Sequence, residues 1–211
     1  MAERTNFLGC EIRTQKSFRP RIETEFWAGK AIGENRQRKG NLKILDLFAG
    51  SGCIGISFLK RVGNSSVDFA DISPEALSET EKNLKENGIL SERYRIVESD
   101  LFSGLKGKKY DVILSNPPYV AEARIKEVED DVLKRDPAIS LFGGKDGTDE
   151  IKRFLSEVGD HLKGKGVFYM EFDPLQEKAV KEALQNAKIG YQIEKDQFGK
   201  VRWLKGRLGN N

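Results

Sequence analysis

The segment from Leu42 to Gly55 constrains this chain more than any other. Leu42 to Leu47 reads as a buried strand, and it passes without a linker into Phe48-Ala49-Gly50-Ser51-Gly52. Beyond it, Ile54, Ile56, Phe58 and Leu59 mark the apolar side of a helix ending near Gly63. A strand that turns through glycines straight into a helix opens a parallel α/β sheet, because parallel strands need a crossover and a helix is the usual one. The alternation continues. Val67 to Ala70 is a second strand ending at Asp71, and Ser73-Pro74-Glu75 supplies an N-cap, a proline at the first helical position and an acid in the first turn of a helix that Gly88 stops. Tyr94 to Val97 and Tyr110 to Ser115 read as the third and fourth strands. Ile151, Phe154, Leu155, Val158 and Leu162 fall on one helical face before a turn at Lys163 to Gly166. Val167 to Phe172 is a fifth strand, Gln176 to Ala187 a helix, and Tyr191 to Glu194 with Val201 to Leu204 a closing hairpin around Phe198-Gly199.

The upstream residues differ in kind. Phe7 to Ile12 and Ser17 to Ile22 are expected to pair as a hairpin, and Phe26, Trp27, Ala31 and Ile32 share a face of a helix over Glu25 to Asn35. Residues 1–40 are therefore expected to cover the sheet built by residues 41–211 in a single compact unit; 211 residues suit one substantial core. The charged stretch Ala121 to Asp136 reads as an insertion or exposed helix. With 36 Lys and Arg against 33 Asp and Glu, the net charge of +3 falls short of what binding along a phosphate backbone asks for. Arg13, Lys16, Arg19, Arg21, Arg36, Arg38, Lys39 and Lys43 make the first 43 residues the most basic part, either a solvated face or a surface for an acidic partner or nearby ribosomal RNA. No window approaches the ~18–20 uninterrupted apolar residues of a membrane span, so a soluble, cytoplasmic chain is expected. Cys10 and Cys53 are too few for a disulfide scaffold, no Cys/His cluster spells a metal site, and His161 has no positioned partner for catalysis.

Gly50-Ser51-Gly52 lets a ligand approach the backbone, and Gly50-x-Gly52-x-x-Gly55 also satisfies a dinucleotide fingerprint. Three acids end successive strands; the first, Asp46, separates the possibilities, whereas Asp71 would suit either cofactor. Asp46, before the loop, is expected to meet the cationic amino end of S-adenosylmethionine, whereas a pyrophosphate there would be repelled. Asp71, with Ile72 beside it, is placed for ribose hydroxyls; Asp100 is placed for an adenine amino group, with Leu101 or Phe102 over the ring.

Asn116-Pro117-Pro118-Tyr119 ends the fourth strand on the same sheet edge as the glycine loop. The Asn116 oxygen and the Pro117 carbonyl are two acceptors fit for a planar NH2 group, and Tyr119 offers a flat face beside them. This pattern points to methylation of an amino or amide nitrogen, with adenine, cytosine and glutamine all open as acceptors. A non-catalytic subunit of the same fold has no use for those acceptors.

Together with Pro20-Arg21-Ile22-Glu23-Thr24-Glu25 and Leu141-Phe142-Gly143-Gly144-Lys145-Asp146-Gly147, this motif resembles the glutamine-N5 methyltransferases that modify peptide-chain release factors, over about residues 7–205. The resemblance implies a Rossmann-like class I methyltransferase fold: a mostly parallel seven-stranded sheet, helices on both faces and a C-terminal antiparallel hairpin. It implies S-adenosyl-L-methionine as donor, with S-adenosyl-L-homocysteine as product, held by Phe48, Ala49, Gly50, Ser51, Gly52, Asp71 and Leu101 among the acids above. By the same resemblance Asn116, Pro117, Pro118 and Tyr119 hold the substrate glutamine, and Asn116 also adjoins the cofactor. Ile22 stands where that family has a second proline, Phe48 and Ala49 where its loop has Gly-Thr, and no separate N-terminal helical domain is expected. The partner implied is a release factor, met by a monomer with no nucleic acid or membrane required. DNA or RNA amino methylation, at adenine N6, is the alternative.

Overall fold

A computed structural model describes residues 3–14, 19–127 and 138–209. Its centre is a seven-stranded sheet of β3 (Leu42–Leu47), β4 (Ser65–Asp71), β5 (Tyr94–Glu98), β6 (Tyr110–Ser115), β7 (Leu162–Glu171), β8 (Ile189–Lys195) and β9 (Val201–Leu208), in the order β5-β4-β3-β6-β7-β9-β8. Only β9 runs against the others, pairing antiparallel with β7 and β8. The chain reverses its direction of travel across the sheet between β5 and β6, so the carboxyl ends of β3 and β6, hydrogen-bonded neighbours, flank the crevice where such sheets bind ligands.

One face is covered by α1 (Ile22–Asn35), α2 (Cys53–Arg61) and α3 (Pro74–Glu86), whose Trp27, Ile56, Phe58 and Leu84 pack with Ile44, Val67, Phe69 and Val112 of the strands. The other face is covered by α4 (Asp149–Glu157) and α5 (Glu177–Asn186), with Phe154, Leu155, Val180 and Leu184 against Leu45, Ile113, Phe168 and Met170. Ser73 caps α3 as read from the sequence, accepting from the Ala76 N–H.

Two expectations need correction. The N-terminal hairpin joins β1 (Glu3–Phe7) to β2 (Cys10–Thr14), not Phe7–Ile12 to a later segment. Its two-residue turn, Leu8-Gly9, has positive φ at both positions, the geometry a tight hairpin demands, and Ser17, with Lys16, lies outside the described residues. The turn at Lys163 to Gly166 is absorbed into β7 as a bulge, since Leu162 pairs with Tyr110 and Val167 already with Val112. Of the charged stretch, Glu122–Glu127 forms short 3-10 turns and residues 128–136 lie outside the described residues. Of the early basic residues, Arg13 pairs with Glu86, Arg19 with Glu3 and Arg38 with Asp111. Among the described residues no helix is long and apolar enough to cross a membrane.

Candidate active site

The carboxyl ends of β3, β4, β5 and β6 open into a cleft of about 280 Å3. One wall is the loop after β3, where Phe48, Ala49, Gly50 and Ser51 face the cavity. Phe48, at the position where the resembling loop carries glycine, takes φ +61°, and Leu101 across the cleft takes φ +50°. Side chains held in this region cost roughly 1–2 kcal/mol each, and such costs concentrate where a ligand is bound.

Asp71 stands where the sequence reading put it, with Ile72 beside it on the cleft. Its Oδ2 accepts the Gly50 N–H at 2.9 Å and its Oδ1 the Ser73 N–H at 2.9 Å, so the acid that closes β4 also fixes the loop that follows β3. Burial raises its pKa, and these amide donors pull back against the rise. A carboxylate has about four acceptor sites, which leaves capacity for hydroxyl donors from a ligand.

Asp46 does not face the cleft. It is buried beneath the loop, where Oδ2 accepts the Gly55 N–H of α2 at 2.8 Å, and burial pushes its pKa up to about 8. Its work is to tie the helix start to the strand. Gly52 is not among the residues that line the cleft, and a Cβ there would lie 2.7 Å from Cγ2 of Thr80. Asp100 lines the mouth of the cleft, but its two oxygens accept from Arg153 at 2.9 and 3.0 Å, which engages the carboxylate that was assigned to an adenine amine. Leu101 faces the cavity as expected, whereas Phe102 turns into the core, stacked on His161 with ring centroids 4.3 Å apart.

Asn116, Pro117, Pro118 and Tyr119 form another wall of the cleft, which Pro20, Arg21 and Thr24 of the N-terminal segment also line. Gly143 to Gly147 supports this wall from behind. Gly143 donates to the Val120 carbonyl at 3.0 Å, and Gln176 Nε2 donates to the carbonyls of both Tyr119 and Gly147 at 2.7 Å. A Cβ on Gly147 would sit 2.2 Å from the Tyr119 carbonyl oxygen, so the loop has to carry glycine there to lie against the motif. Thus the two flanking segments singled out in the sequence both converge on Asn116 to Tyr119.

Sequence reasoning missed Glu171. It is fully buried at the carboxyl end of β7 and accepts three hydrogen bonds: from Thr24 Oγ1 at 2.7 Å, Trp27 Nε1 at 2.7 Å and the Tyr119 hydroxyl at 3.0 Å. Burial raises its pKa against those three donors and also holds the Tyr119 phenol well above its ordinary value. The available signal was a lone acid in the apolar run Val167 to Phe172. Cys10 and Cys53 are free thiols, and no group of three or more His, Cys, Asp or Glu is placed to hold a metal among the described residues.

Residues 30–139 match the Methyltransferase small domain family. The chain is 33% identical over 202 residues to the release factor glutamine methyltransferase of Streptococcus pneumoniae, covering 94% of this chain and 70% of that protein. It is 38% identical over 164 residues to the protein of that name from Koribacter versatilis, covering 75% of this chain and 57% of the relative. Its fold is similar to a Thermus thermophilus 16S rRNA N2 methyltransferase solved with AdoMet and guanosine, at TM-score 0.69, 17% identity, and coverage of 99% of this chain and 50% of that one. A methyltransferase from Pyrococcus furiosus superimposes with TM-score 0.65 at 19% identity, covering 92% of this chain and 89% of the other.

Proposed function

From the premise that the chain belongs to the release factor glutamine methyltransferase family, we propose that it moves a methyl group from S-adenosylmethionine to the side-chain nitrogen, N5, of a glutamine in a peptide-chain release factor. The observation that carries this reading is that Asn116 to Tyr119 and the glycine loop line one cleft. The lining fits the donor: loop backbone and an under-used carboxylate at Asp71 suit a hydroxylated, charged molecule, and Leu101, Leu141 and Phe142 suit a flat ring. When bound, S-adenosylmethionine supplies an electrophilic methyl on a sulfonium.

The chain's own task is to make a poor nucleophile react. An amide nitrogen shares its lone pair with its carbonyl, and that delocalisation has to be relaxed as the methyl arrives. In this reading the Asn116 oxygen and the Pro117 carbonyl accept the two N–H bonds of the substrate amide, fixing its plane and turning the nitrogen toward the donor. As the methyl moves and its bond to sulfur breaks, positive charge grows on nitrogen and those N–H groups become stronger donors, so the same two acceptors help more in the transition state than in the ground state. One of the two protons is then lost to solvent, leaving a neutral N-methyl amide. Apolar walls at Pro118 and Tyr119 keep competing water from the amide. Residues 1–40 act as a cover contributing Pro20, Arg21 and Thr24 to the acceptor side, and residues 41–211 as the catalytic unit. The reading carries with it a monomeric enzyme acting in the cytoplasm.

The test is to incubate the protein with methyl-labelled S-adenosylmethionine and, separately, a release factor, duplex DNA and tRNA. Label on a release-factor glutamine, located by peptide mass spectrometry, is the expected result. Label in DNA or RNA with none in protein overturns it.

A further inference from the structure

We propose that Glu171 is a positioning residue: through Thr24 it holds the Asn116 side chain so that its amide oxygen, not its NH2, is presented to the cleft. Trp27 Nε1 can only donate, so the Glu171 oxygen it reaches at 2.7 Å has to be an acceptor. That same oxygen, Oε2, is 2.7 Å from Thr24 Oγ1, and the Thr24 proton is therefore committed to Glu171. The Thr24 oxygen then has only lone pairs to offer in any other direction. Asn116 Nδ2 lies 3.4 Å from it, and the amide can meet a lone pair only with its NH2. With the nitrogen engaged there, the oxygen is left for the cleft.

The other Glu171 oxygen accepts from the Tyr119 hydroxyl at 3.0 Å, so one carboxyl group sets both the acceptor and the aromatic side chain of the motif. Thr24 and Glu171 are 1% and 0% exposed, which keeps water from substituting for either partner. Burying an acid is costly unless donors compensate it, and three uncharged donors converge here. The arrangement also gives the segment Pro20 to Glu25 a role in the site: it delivers Thr24.

The kinetic part of this proposal rests on the methyl-transfer reading above, so the test pairs kinetics with a measurement needing no substrate. Thr24→Val and Glu171→Leu remove the polar relay. Thr24→Ser keeps the hydroxyl, and Glu171→Gln keeps an acceptor oxygen, which Trp27 forces to face Thr24. Thermal melts establish which variants fold, and Thr24→Val carries the test if Glu171→Leu does not.

The side-chain amide resonances of Asn116 in a 15N-labelled protein, assigned by their loss in Asn116→Ala, should move in Thr24→Val and stay in place in Thr24→Ser. In turnover assays Thr24→Val should lose about 10- to 100-fold in kcat with S-adenosylmethionine affinity within about threefold, while Thr24→Ser and Glu171→Gln stay within about fivefold of wild type. Unmoved Asn116 resonances in Thr24→Val, or a rise in KM with kcat preserved, overturn the proposal. If wild type methylates no glutamine, the functional reading fails, yet the resonances still decide the positioning.

Discussion

The backbone N–H of Gly50 donates to Asp71 Oδ2 at 2.9 Å, so the loop after β3 is pinned by the residue that ends β4. That hydrogen bond ties together the two elements proposed to hold the cofactor. Asp71→Ala should weaken S-adenosylmethionine binding by about 1.5–3 kcal/mol, the scale of losing hydrogen bonds to a charged group, by freeing the loop as well as by deleting the acceptor. Titration calorimetry decides: unchanged affinity, or tighter binding of NAD than of S-adenosylmethionine, removes Asp71 from the site.

Asp46 should make the fold weaken as pH rises. Its pKa is raised by burial to about 8 in the folded protein, against 3.8 when exposed, so between those values the folded state holds the proton that the unfolded state has released. Unfolding then becomes easier with each step up in pH, by up to about 1.4 kcal/mol per unit, until pH passes 8. Asp46→Asn keeps an oxygen for the Gly55 N–H without that proton and should flatten the slope. Urea unfolding at pH 5, 6, 7 and 8 should show the variant gaining on wild type by about 1 kcal/mol per unit. Parallel curves would rule the buried proton out.

Gly147→Ala should damage the site from outside it. The added Cβ would lie 2.2 Å from the Tyr119 carbonyl oxygen at a φ of +71°, so the loop has to withdraw from the back of the motif. A loss of about 1–3 kcal/mol in stability is expected, with a fall in kcat that exceeds any change in cofactor affinity. Gly40→Ala is the control for positive φ alone, since its Cβ meets nothing within 4 Å at φ +92°. Equal effects at the two positions would show that the contact with Tyr119 does not matter.

What could be read from the sequence was what short-range pattern specifies. Asn116 to Tyr119 follows a strand whose limits, Tyr110 to Ser115, emerged unchanged, because a pair of prolines ends a ladder whatever its neighbours do. Asp46 and Asp71 looked alike, each an acid at a strand's end. They part company because the Asp46 side chain leaves β3 on the face covered by α2, while Asp71 is the final residue of β4 and opens onto the cleft. No local signal distinguishes those outcomes. The pairing of Asp100 with Arg153 was out of reach for a related reason, since Arg153 is brought from 53 residues away by α4. Glu171 was invisible: Thr24 and Trp27 lie 147 and 144 residues from it, and one acid in an apolar strand has no spacing to recognise.

Asn116 gives the most demanding prediction, because its variants separate catalysis from binding. Asn116→Ala should lower kcat by about 10²–10³, the effect of removing one preorganised hydrogen-bonding group, and leave S-adenosylmethionine affinity within a few fold. Asn116→Asp keeps the shape but has no NH2 to give to Thr24, whose own proton is held by Glu171 at 2.7 Å. An ionised carboxylate there would face lone pairs with no donor between them, so its pKa should rise above the ordinary carboxylate value. Once protonated, it can donate to Thr24 and turn a neutral carbonyl oxygen to the substrate amide, as asparagine does. The ratio of variant to wild-type kcat should therefore climb as pH falls from 8 to 6, the reverse of what a lost general base would give. A ratio that is flat with pH, or near-normal kcat with a raised KM, would mean that Asn116 only holds the substrate, and the acceptor mechanism would have to be given up.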